Sequence, residues 1–343
     1  MKYEHRSNPA FSVIVLTHNS GFLIGRCLKS LLDEGVDSID EEVEILVVDS
    51  STKDNTVEQV QGVGIPVIPC PGNVSVKRNA GLKKARGRVA VFLDSDCLPH
   101  KGWLVSLVRS LEPTNKDIVA VMGASTGEKE NIWSELEDRN YREGFIDRIG
   151  DGKQLIALDT RNVALDREAV LNLGGFNEKQ LSFEDVELGA RIREAGYRIL
   201  YAPDAVVTHK HRTTLRGKWK QAFWHARGAY LYHVKHKDSQ DLQVRDFSRS
   251  LRIPAILGAW FGALLVLSIL WMGVLFQGLP FWPALALSFP AGVAALANPI
   301  KCLRLFRKAS CHMALYYLTT SSAQRAGVLV QFLWERLPIK ERT

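Results

Sequence analysis

Two aspartates separated by one serine, Asp94 and Asp96, are the residues of this sequence best placed to bind a metal. They directly follow residues 89–93, an apolar run that predicts a buried strand. Hard cations such as Mn²⁺ and Mg²⁺ prefer oxygen ligands and bind diphosphates beside one or two carboxylates. A solvated turn is the alternative for an isolated Asp-Ser-Asp. The position at a strand end instead favours Asp96 and Asp94 as ligands of Mn²⁺ or Mg²⁺, with Asp94 also able to face a ribose.

Two histidines, His209 and His211, follow the predicted strand at residues 205–207. A neutral imidazole nitrogen is a good ligand for Mn²⁺, so one of them could join Asp96 at the metal. A structural histidine is the alternative for each. We expect His209 to be the ligand, with His211 as its substitute.

An acidic residue also ends the second predicted strand, where Asp49 follows the apolar run 43–48. A carboxylate in this position can accept a hydrogen bond from an imide N–H or a ribose hydroxyl. Thr17, at the end of the first predicted strand, could reach the same base. The alternative is that Asp49 merely caps the turn at residues 50–55.

Lys77 and Arg78 precede a predicted helix at residues 79–85. Two cations beside a helix N-terminus would suit a diphosphate, because the helix dipole and the free N–H groups also attract anions. A solvated helix start is the alternative. The sequence therefore offers Lys77 and Arg78 as donor-binding residues.

Two adjacent acids, Glu184 and Asp185, begin a predicted helix at residues 184–195. Acids in a first helical turn commonly just complement the helix dipole. Here Gly174, Gly175 and Phe176 lie upstream, and a flexible loop that delivers carboxylates to a cleft would suit a general base. Asp185 and Glu184 are therefore candidate catalytic residues.

Strands alternate with helices over the first part of the chain, which predicts an α/β fold. Such alternation is typical of a mostly parallel sheet with helices on both faces, and these sheets bind ligands at the carboxyl ends of their strands. The predicted strands are 11–16, 43–48, 67–69, 88–93, 118–122 and 199–201, and the predicted helices are 22–32, 56–61, 79–85, 103–111, 131–148 and 184–195.

Taken together, these motifs resemble the family 2 inverting glycosyltransferases, which have the Rossmann-like GT-A fold. The matching stretches occur in the family's order across residues 11–212. They are 12–19, 47–49, 77–81, 92–96, 174–178 and 184–188.

The resemblance implies a role for each motif residue in binding or using a nucleoside-diphosphate sugar. Thr17 and Asp49 would hold the nucleoside and Arg78 the diphosphate. Asp94 would lie against the ribose or metal, with Asp96 as the metal ligand. Asp185 would be the catalytic base. Asn162 matches a family position near the donor sugar.

The sequence departs from the family in two places. Residues 50–52 read Ser-Ser-Thr, where many relatives carry a second acid and a glycine, so the base-binding region is altered. The QxxRW motif of processive polysaccharide synthases is missing from residues 221–225, which read Gln-Ala-Phe-Trp-His. The addition of one hexosyl group per acceptor is therefore favoured over polymerisation.

Charge separates the chain into an acidic and a basic part. Residues 1–197 carry 24 Lys and Arg against 31 Asp and Glu, whereas residues 198–343 carry 20 against 6. The basic part also contains two uncharged apolar stretches, 255–276 and 279–297, the first of which is long enough to cross a bilayer as a helix. Because arginines and lysines flank both, the positive-inside rule predicts a hairpin with cytoplasmic ends. Pro283 and Pro290 interrupt the second stretch, so a re-entrant or kinked element is the alternative there.

These patterns predict four regions. A GT-A domain at residues 1–212 precedes a basic aromatic interfacial helix and linker at 213–252, a transmembrane hairpin at 253–300 and a basic cytoplasmic or interfacial tail at 301–343. No signal peptide is recognised, so we expect a multi-pass protein of the cytoplasmic (inner) membrane whose catalytic domain faces the cytoplasm. That location would suit a polyprenyl-type lipid-linked or glycan acceptor in cell-surface polysaccharide or glycoconjugate synthesis.

Other classes fit the sequence less well. Basic residues grouped around an apolar hairpin disfavour nucleic acid as a partner. The five scattered cysteines form no CxxC pair and favour a reducing compartment. A nucleotidyltransferase would need a basic loop after its first strand, and residues 17–21 contain no Lys or Arg. A non-catalytic membrane scaffold remains an alternative, although it would not need the carboxylates.

Overall fold

The computed structural model describes residues 8–36, 39–111, 116–146, 154–155 and 157–236. The chain divides into two units, Met1–Gly217 and Lys218–Thr343, and every predicted site residue lies in the first. Within the described ranges, no helix combines the length and the apolar character needed to cross a membrane. The predicted membrane stretches 255–276 and 279–297, and the tail 301–343, lie outside these ranges.

The first half of the domain is built from parallel strands joined by helices, as predicted. Register places Thr17 opposite Asp49 and Leu16 opposite Asp94, so the strand ends with the predicted polar residues are neighbours. The strands are β1 (Phe11–Thr17), β2 (Val43–Asp49), β3 (Val67–Pro69) and β4 (Val89–Asp94), and the helices are α1 (Ile24–Ser30, continued by a π-helical turn at Leu31–Gly35), α2 (Thr56–Gly62) and α3 (Val74–Lys84).

The second half adds two strands that the sequence analysis did not identify, β5 and β7. Its strands are β5 (Cys97–Pro99), β6 (Ile118–Gly127), β7 (Asn162–Asp166) and β8 (Arg198–His209), and its helices are α4 (Trp103–Val108), α5 (Ile132–Ile146), α6 (Arg167–Asn172), α7 (Glu184–Glu194) and α8 (Leu215–Lys235).

The eight-stranded sheet is mixed, with the order β3-β2-β1-β4-β7-β6-β8-β5. Strands β1 to β4 are parallel, as expected, but β7 runs antiparallel to both β4 and β6. The expectation of a mostly parallel sheet holds for β1 to β4, β6 and β8, because β6 also pairs in parallel with β8, and only β5 and β7 run in the opposite direction. The reversal of β7 places its first residue, Asn162, beside Leu93 at the carboxyl end of β4.

The core lies on both faces of this sheet. Along β1, Val13 and Val15 pack into one buried cluster, whereas Ile14 and Leu16 pack into a second one on the opposite face. Side chains alternate between the faces of a strand, so a strand covered on both sides is apolar at most positions, and the buried Ser12 and Glu44 of β1 and β2 are hydrogen-bonded to each other. This explains the continuous apolar runs in the sequence.

Helix α3 starts five residues earlier than predicted, at Val74. Asn73 caps it, since its side-chain oxygen accepts a hydrogen bond from the N–H of Val76. Lys77 and Arg78 therefore lie inside the helix. The expectation that they flank a helix N-terminus open to a diphosphate was wrong.

Helix α8 carries the basic and aromatic residues predicted to form an interfacial helix. Trp219 and Phe223, one turn apart, stack with ring centroids 5.3 Å apart, and the guanidinium of Arg227 lies 4.7 Å from the centroid of Trp224. Trp219 and Trp224 are exposed. The helix is confirmed, and its membrane contact stays a prediction.

Candidate active site

Asp96 and His209 meet beyond the carboxyl end of β4. Nε2 of His209 lies 3.5 Å from Oδ1 of Asp96, and the backbone N–H of Lys210 donates to the carbonyl of Asp96 at 2.9 Å. The pairing of β5 with β8, which sets Cys97 opposite His209, brings together residues more than a hundred positions apart. The ligand atoms of Asp96, Cys97 and His209 all lie within 4.8 Å of one another.

The donor set at this point fits a hard divalent cation. Burial would raise the pKa of Asp96, but the hydrogen bond from His209 and nearby arginine charges lower it below the ordinary value, so the carboxylate is available. Burial raises the pKa of the Cys97 thiol well above its usual range, which keeps the sulfur protonated and a poor ligand. The carboxylate oxygen of Asp96 suits Mn²⁺ or Mg²⁺, and the added imidazole nitrogen of His209 favours Mn²⁺.

His211 turns away from Asp96. Its Nδ1 lies 3.2 Å from Nδ1 of His209, and its Nε2 lies 3.7 Å from Oδ1 of Asp138. Burial and the neighbouring His209 lower the pKa of His211 to about 4. Of the two histidines, His209 is the one that faces the Asp-Ser-Asp motif, in agreement with the preference stated above.

Arg78 and Glu184 form a buried ion pair, in which Nη1 of Arg78 donates to Oε1 of Glu184. Nη2 of Arg78 lies 3.9 Å from Oδ1 of Asp94. Burial alone would lower the pKa of Arg78, but the charges of Glu184 and Asp94 raise it. Burial also raises the pKa of Asp94, against the opposing charge of Arg78. Glu184 is therefore engaged with Arg78, and a role for it as the free base is not supported.

Of the two adjacent acids Glu184 and Asp185, Asp185 forms no ion pair with any residue that the structure describes. It follows Phe183, a non-glycine residue with φ of +68°, and Glu184 at the start of α7. Its Oδ1 accepts a hydrogen bond from the N–H of Val186 at 2.8 Å. Burial, with the negative charges of Glu184 and Asp159, raises the pKa of Asp185 to about 7. A carboxylate with this pKa is suited to general-base catalysis at neutral pH.

The loop that precedes α7 is held by side chains of α3 and α7. Asn79 accepts a hydrogen bond from the N–H of Phe176 and donates to the carbonyl of the same residue. Arg191 donates to the carbonyl of Gly175 at 2.6 Å and pairs with Glu187. Gly175 has φ of +69°, and a Cβ there would lie 2.6 Å from Oδ1 of Asn79. The Gly-Gly-Phe motif is thus a fixed support for α7.

The residues predicted to bind the nucleoside form one hydrogen-bonded group. The Thr17 hydroxyl donates to Oδ1 of Asp49 at 2.6 Å, and the N–H of Ser51 donates to Oδ2 at 2.8 Å. Nζ of Lys77 donates to the carbonyl of Thr17 and to the hydroxyl of Ser50, and burial lowers the pKa of Lys77. Lys77 therefore lies with Thr17 and Asp49, among the residues predicted to bind the nucleoside. The unusual Ser51 supplies the partner that holds Asp49.

Asn162 has a structural role that differs from the predicted one near the donor sugar. Its Nδ2 donates to the carbonyls of Ala124 and Ala205, each at 2.8 Å, and its Oδ1 accepts from Nε1 of the buried Trp103 at 2.8 Å. The amide, which is almost fully buried, is thus used in joining β6, β7, β8 and α4.

Arg161 is a site residue that the sequence analysis missed. Its Nε donates to Asp159 at 3.0 Å, its guanidinium lies 4.4 Å from the ring centroid of Tyr141, and its Nη1 lies 3.4 Å from Nδ1 of His209. Burial alone would lower the pKa of Arg161, but Asp159 raises it. Adjacency to the motif residue Asn162 was the only sequence signal for this cation.

The mixed sheet carries the Asp-Ser-Asp motif at the end of β4 and the buried carboxylate of Asp49 at the end of β2. This arrangement defines a sugar-nucleotide-binding domain of the GT-A class. Residues 12–174 match the model of the family described as Glycosyl transferase family 2. These residues are therefore similar to a glycosyltransferase family 2 domain.

Known glycosyltransferases are similar to this chain in sequence or in fold. The pre-mycofactocin glycosyltransferase of Mycobacterium tuberculosis is 34% identical over 169 residues, which are 47% of this chain and 35% of that protein. The O-antigen chain rhamnosyltransferase WbaN of Salmonella anatum is 27% identical over 230 residues, covering 63% and 70% of the two chains. The mannosyltransferase PcManGT from Pyrobaculum calidifontis, solved with GDP-Man and Mn²⁺, has a TM-score of 0.60 at 20% identity, covering 96% and 89%. This last similarity shows a common fold.

Proposed function

We propose that the chain is a metal-dependent inverting glycosyltransferase. It transfers one hexosyl group from a nucleoside-diphosphate sugar to a hydroxyl of a lipid-linked, polyprenyl-type or glycan acceptor. The observation that carries this proposal is the meeting of Asp96 and His209 next to the strand ends that hold Thr17 and Asp49. One cleft thus offers ligands for a metal beside hydrogen-bonding groups for a nucleoside.

Each of these side chains has its own role in the proposed reaction. Oδ2 of Asp49 can accept an imide N–H of the base, and Asp94 would lie against the ribose or the metal. Asp96 and His209 would hold Mn²⁺ or Mg²⁺, which would offset the negative charge of the leaving diphosphate. Asp185 removes the proton of the acceptor hydroxyl, and attack opposite the leaving group inverts the anomeric centre.

We further propose that the protein works at the cytoplasmic face of the inner membrane, as a multi-pass protein. The support is the basic charge of residues 198–343, the uncharged stretches 255–276 and 279–297, and the exposed Trp219 and Trp224 among the cations of α8. The O-antigen role in the name of the Salmonella relative is consistent with cell-surface polysaccharide synthesis.

The test is a donor and acceptor screen with the purified full chain. Sugar nucleotides that differ in base and sugar are offered with Mn²⁺, and polyprenyl-phosphate-linked, glycan and water acceptors are compared. We expect transfer of a single sugar, preferentially to the lipid-linked acceptor, and product NMR should show the opposite anomeric configuration. Equal use of a soluble acceptor would overturn the lipid assignment, and retention of configuration would overturn the mechanism.

A further inference from the structure

A row of four side chains leads away from the metal ligands into the interior: Asp96, His209, His211 and Asp138. Nε2 of His209 faces Asp96 at 3.5 Å, the two Nδ1 atoms lie 3.2 Å apart, and Nε2 of His211 faces Asp138 at 3.7 Å. His209, His211 and Asp138 are buried. The glycosyl-transfer chemistry described above gives no role to His211 or Asp138.

At 3.2 Å, the two Nδ1 atoms of His209 and His211 are within hydrogen-bonding distance, so one of them must carry a hydrogen and donate it to the other. A neutral imidazole donates from one nitrogen and accepts at the other. In the first arrangement Nδ1–H of His209 donates to His211, so Nε2 of His209 keeps a lone pair toward Asp96. In the second arrangement the direction is reversed, and Nε2 of His209 carries a hydrogen. Only the first arrangement lets His209 bind a metal beside Asp96.

Asp138 favours the first arrangement. In that arrangement Nε2 of His211 carries a hydrogen directed at the carboxylate, whereas in the second a lone pair would face it. Nε2 of His211 is buried and has no partner within hydrogen-bonding distance among the described residues, and Oδ1 of Asp138, at 3.7 Å, is the carboxylate oxygen that it faces. Asp138 is itself oriented by the N–H of Gly127 at 2.7 Å and by Arg142 at 3.0 Å.

Arg161 favours the second arrangement, because a guanidinium can only donate and its Nη1 lies 3.4 Å from Nδ1 of His209. His209 is thus placed between two opposing partners. A cation bound to Nε2 of His209 takes the place of the hydrogen there, so Nδ1 of His209 must carry the hydrogen and donate it. Of Arg161 and His211, only His211 can accept it.

Gly127 makes this contact possible. A Cβ on Gly127 would lie 2.6 Å from Nε2 of His211 and 2.7 Å from Cβ of Asp138. A side chain at this position would therefore displace the ring of His211 or the side chain of Asp138. Gly127→Ala is thus a test of the position of His211 in which neither Asp96 nor His209 is itself substituted.

We infer that His211, oriented by Asp138, is a positioning residue that selects the tautomer of His209 needed to bind the divalent cation. This inference depends on the metal site of the proposed function. Partners of this kind, which orient a metal-bound histidine, contribute strongly to metal affinity.

The experiment measures Mn²⁺ affinity by EPR titration of the purified full chain, without donor or acceptor. We expect His211→Phe, Asp138→Asn and Gly127→Ala to bind Mn²⁺ about 10- to 100-fold more weakly than wild type. His100→Gln is the matched control, since His100 is an exposed histidine that contacts Thr208, and it should bind normally. Thermal unfolding without metal identifies any variant that fails to fold. The Mn²⁺ affinities of the folded variants then test the inference.

A spectroscopic signature separates positioning from general damage. In ¹⁵N-histidine-labelled wild type with Mg²⁺, His209 should carry its hydrogen on Nδ1, whereas folded Asp138→Asn should show the Nε2–H form increased. Wild-type Mn²⁺ affinity in the folded variants, or no Mn²⁺ binding by wild type, would overturn the inference. Weakened binding in the variants of a chain that transfers no sugar would leave the inference standing and refute the proposed function.

Discussion

Arg78 and Glu184 form a buried ion pair between α3 and the first residue of α7. Glu184 and its neighbour Asp185 look equivalent in sequence, but the pair engages only the first. The guanidinium also reaches toward Asp94, so one cation links the start of α7 to the Asp-Ser-Asp motif. The geometry therefore distinguishes a positioning acid, Glu184, from a candidate base, Asp185.

Asp185→Asn should remove the general base without disturbing the fold, because the side chain makes no ion pair with the described part of the chain. We expect kcat to fall by about 100- to 10,000-fold with little change in thermal stability. Glu194→Gln, at the other end of the same helix, is the control and should keep full activity. Wild-type turnover by Asp185→Asn would show that the base is another residue.

The pH dependence of kcat should report the same residue. Burial and neighbouring acids raise the pKa of Asp185 to about 7, and only the deprotonated form can accept a proton. The rate should therefore rise with pH through neutrality and fall by about tenfold per pH unit on the acid side. Mn²⁺ binding measured over the same range separates this effect from metal loss. A rate that stays constant well below neutral pH would contradict the assignment.

Glu184→Gln should destabilise the domain, because it leaves the buried charge of Arg78 without its main partner. We expect the free energy of unfolding to fall by about 3–5 kcal/mol, measured by chemical denaturation. Glu58→Gln, on the exposed side of α2, is the control. A stable variant with a large loss in kcat would instead indicate that Glu184 touches the substrate.

Asn162→Ala tests whether this amide supports the fold or contacts the donor. The change leaves the indole N–H of Trp103 and two buried carbonyls without their partners, so we expect a loss of about 3 kcal/mol in the free energy of unfolding. Asn172→Ala, exposed at the end of α6, should be neutral. An unchanged stability with a raised KM for the donor would restore the donor-sugar role.

Metal removal should abolish transfer. A chelator is expected to inactivate the full chain and added Mn²⁺ to restore it, because Asp96 and His209 then recover their cation. Asp96→Asn should weaken Mn²⁺ binding and should not be rescued at the same metal concentration. Asp117→Asn, which alters an exposed aspartate paired with Arg198, is the control. Full activity in the presence of the chelator would refute the metal dependence.

Much of the first half of the fold could be predicted from local patterns. The apolar runs that became β1, β2 and β4 are continuous because these strands are buried on both faces. The short strands β5 and β7, of three and five residues, carry no comparable apolar run. The early start of α3 depends on Asn73, whose side chain caps the helix and also donates to the carbonyl of Glu178.

The sequence by itself determined which residue types end the strands, and hence that Thr17, Asp49, Asp94 and Asp96 would gather at one end of the sheet. An apolar run that ends in a polar residue is a local property of the sequence, so it can be read along the chain. Only the tertiary structure decided which polar groups remain free. It engages Glu184 with Arg78 and Asn162 with Trp103, and it directs His209 toward Asp96. These partners lie far apart in sequence, and only strand pairing and helix packing bring them within hydrogen-bonding distance.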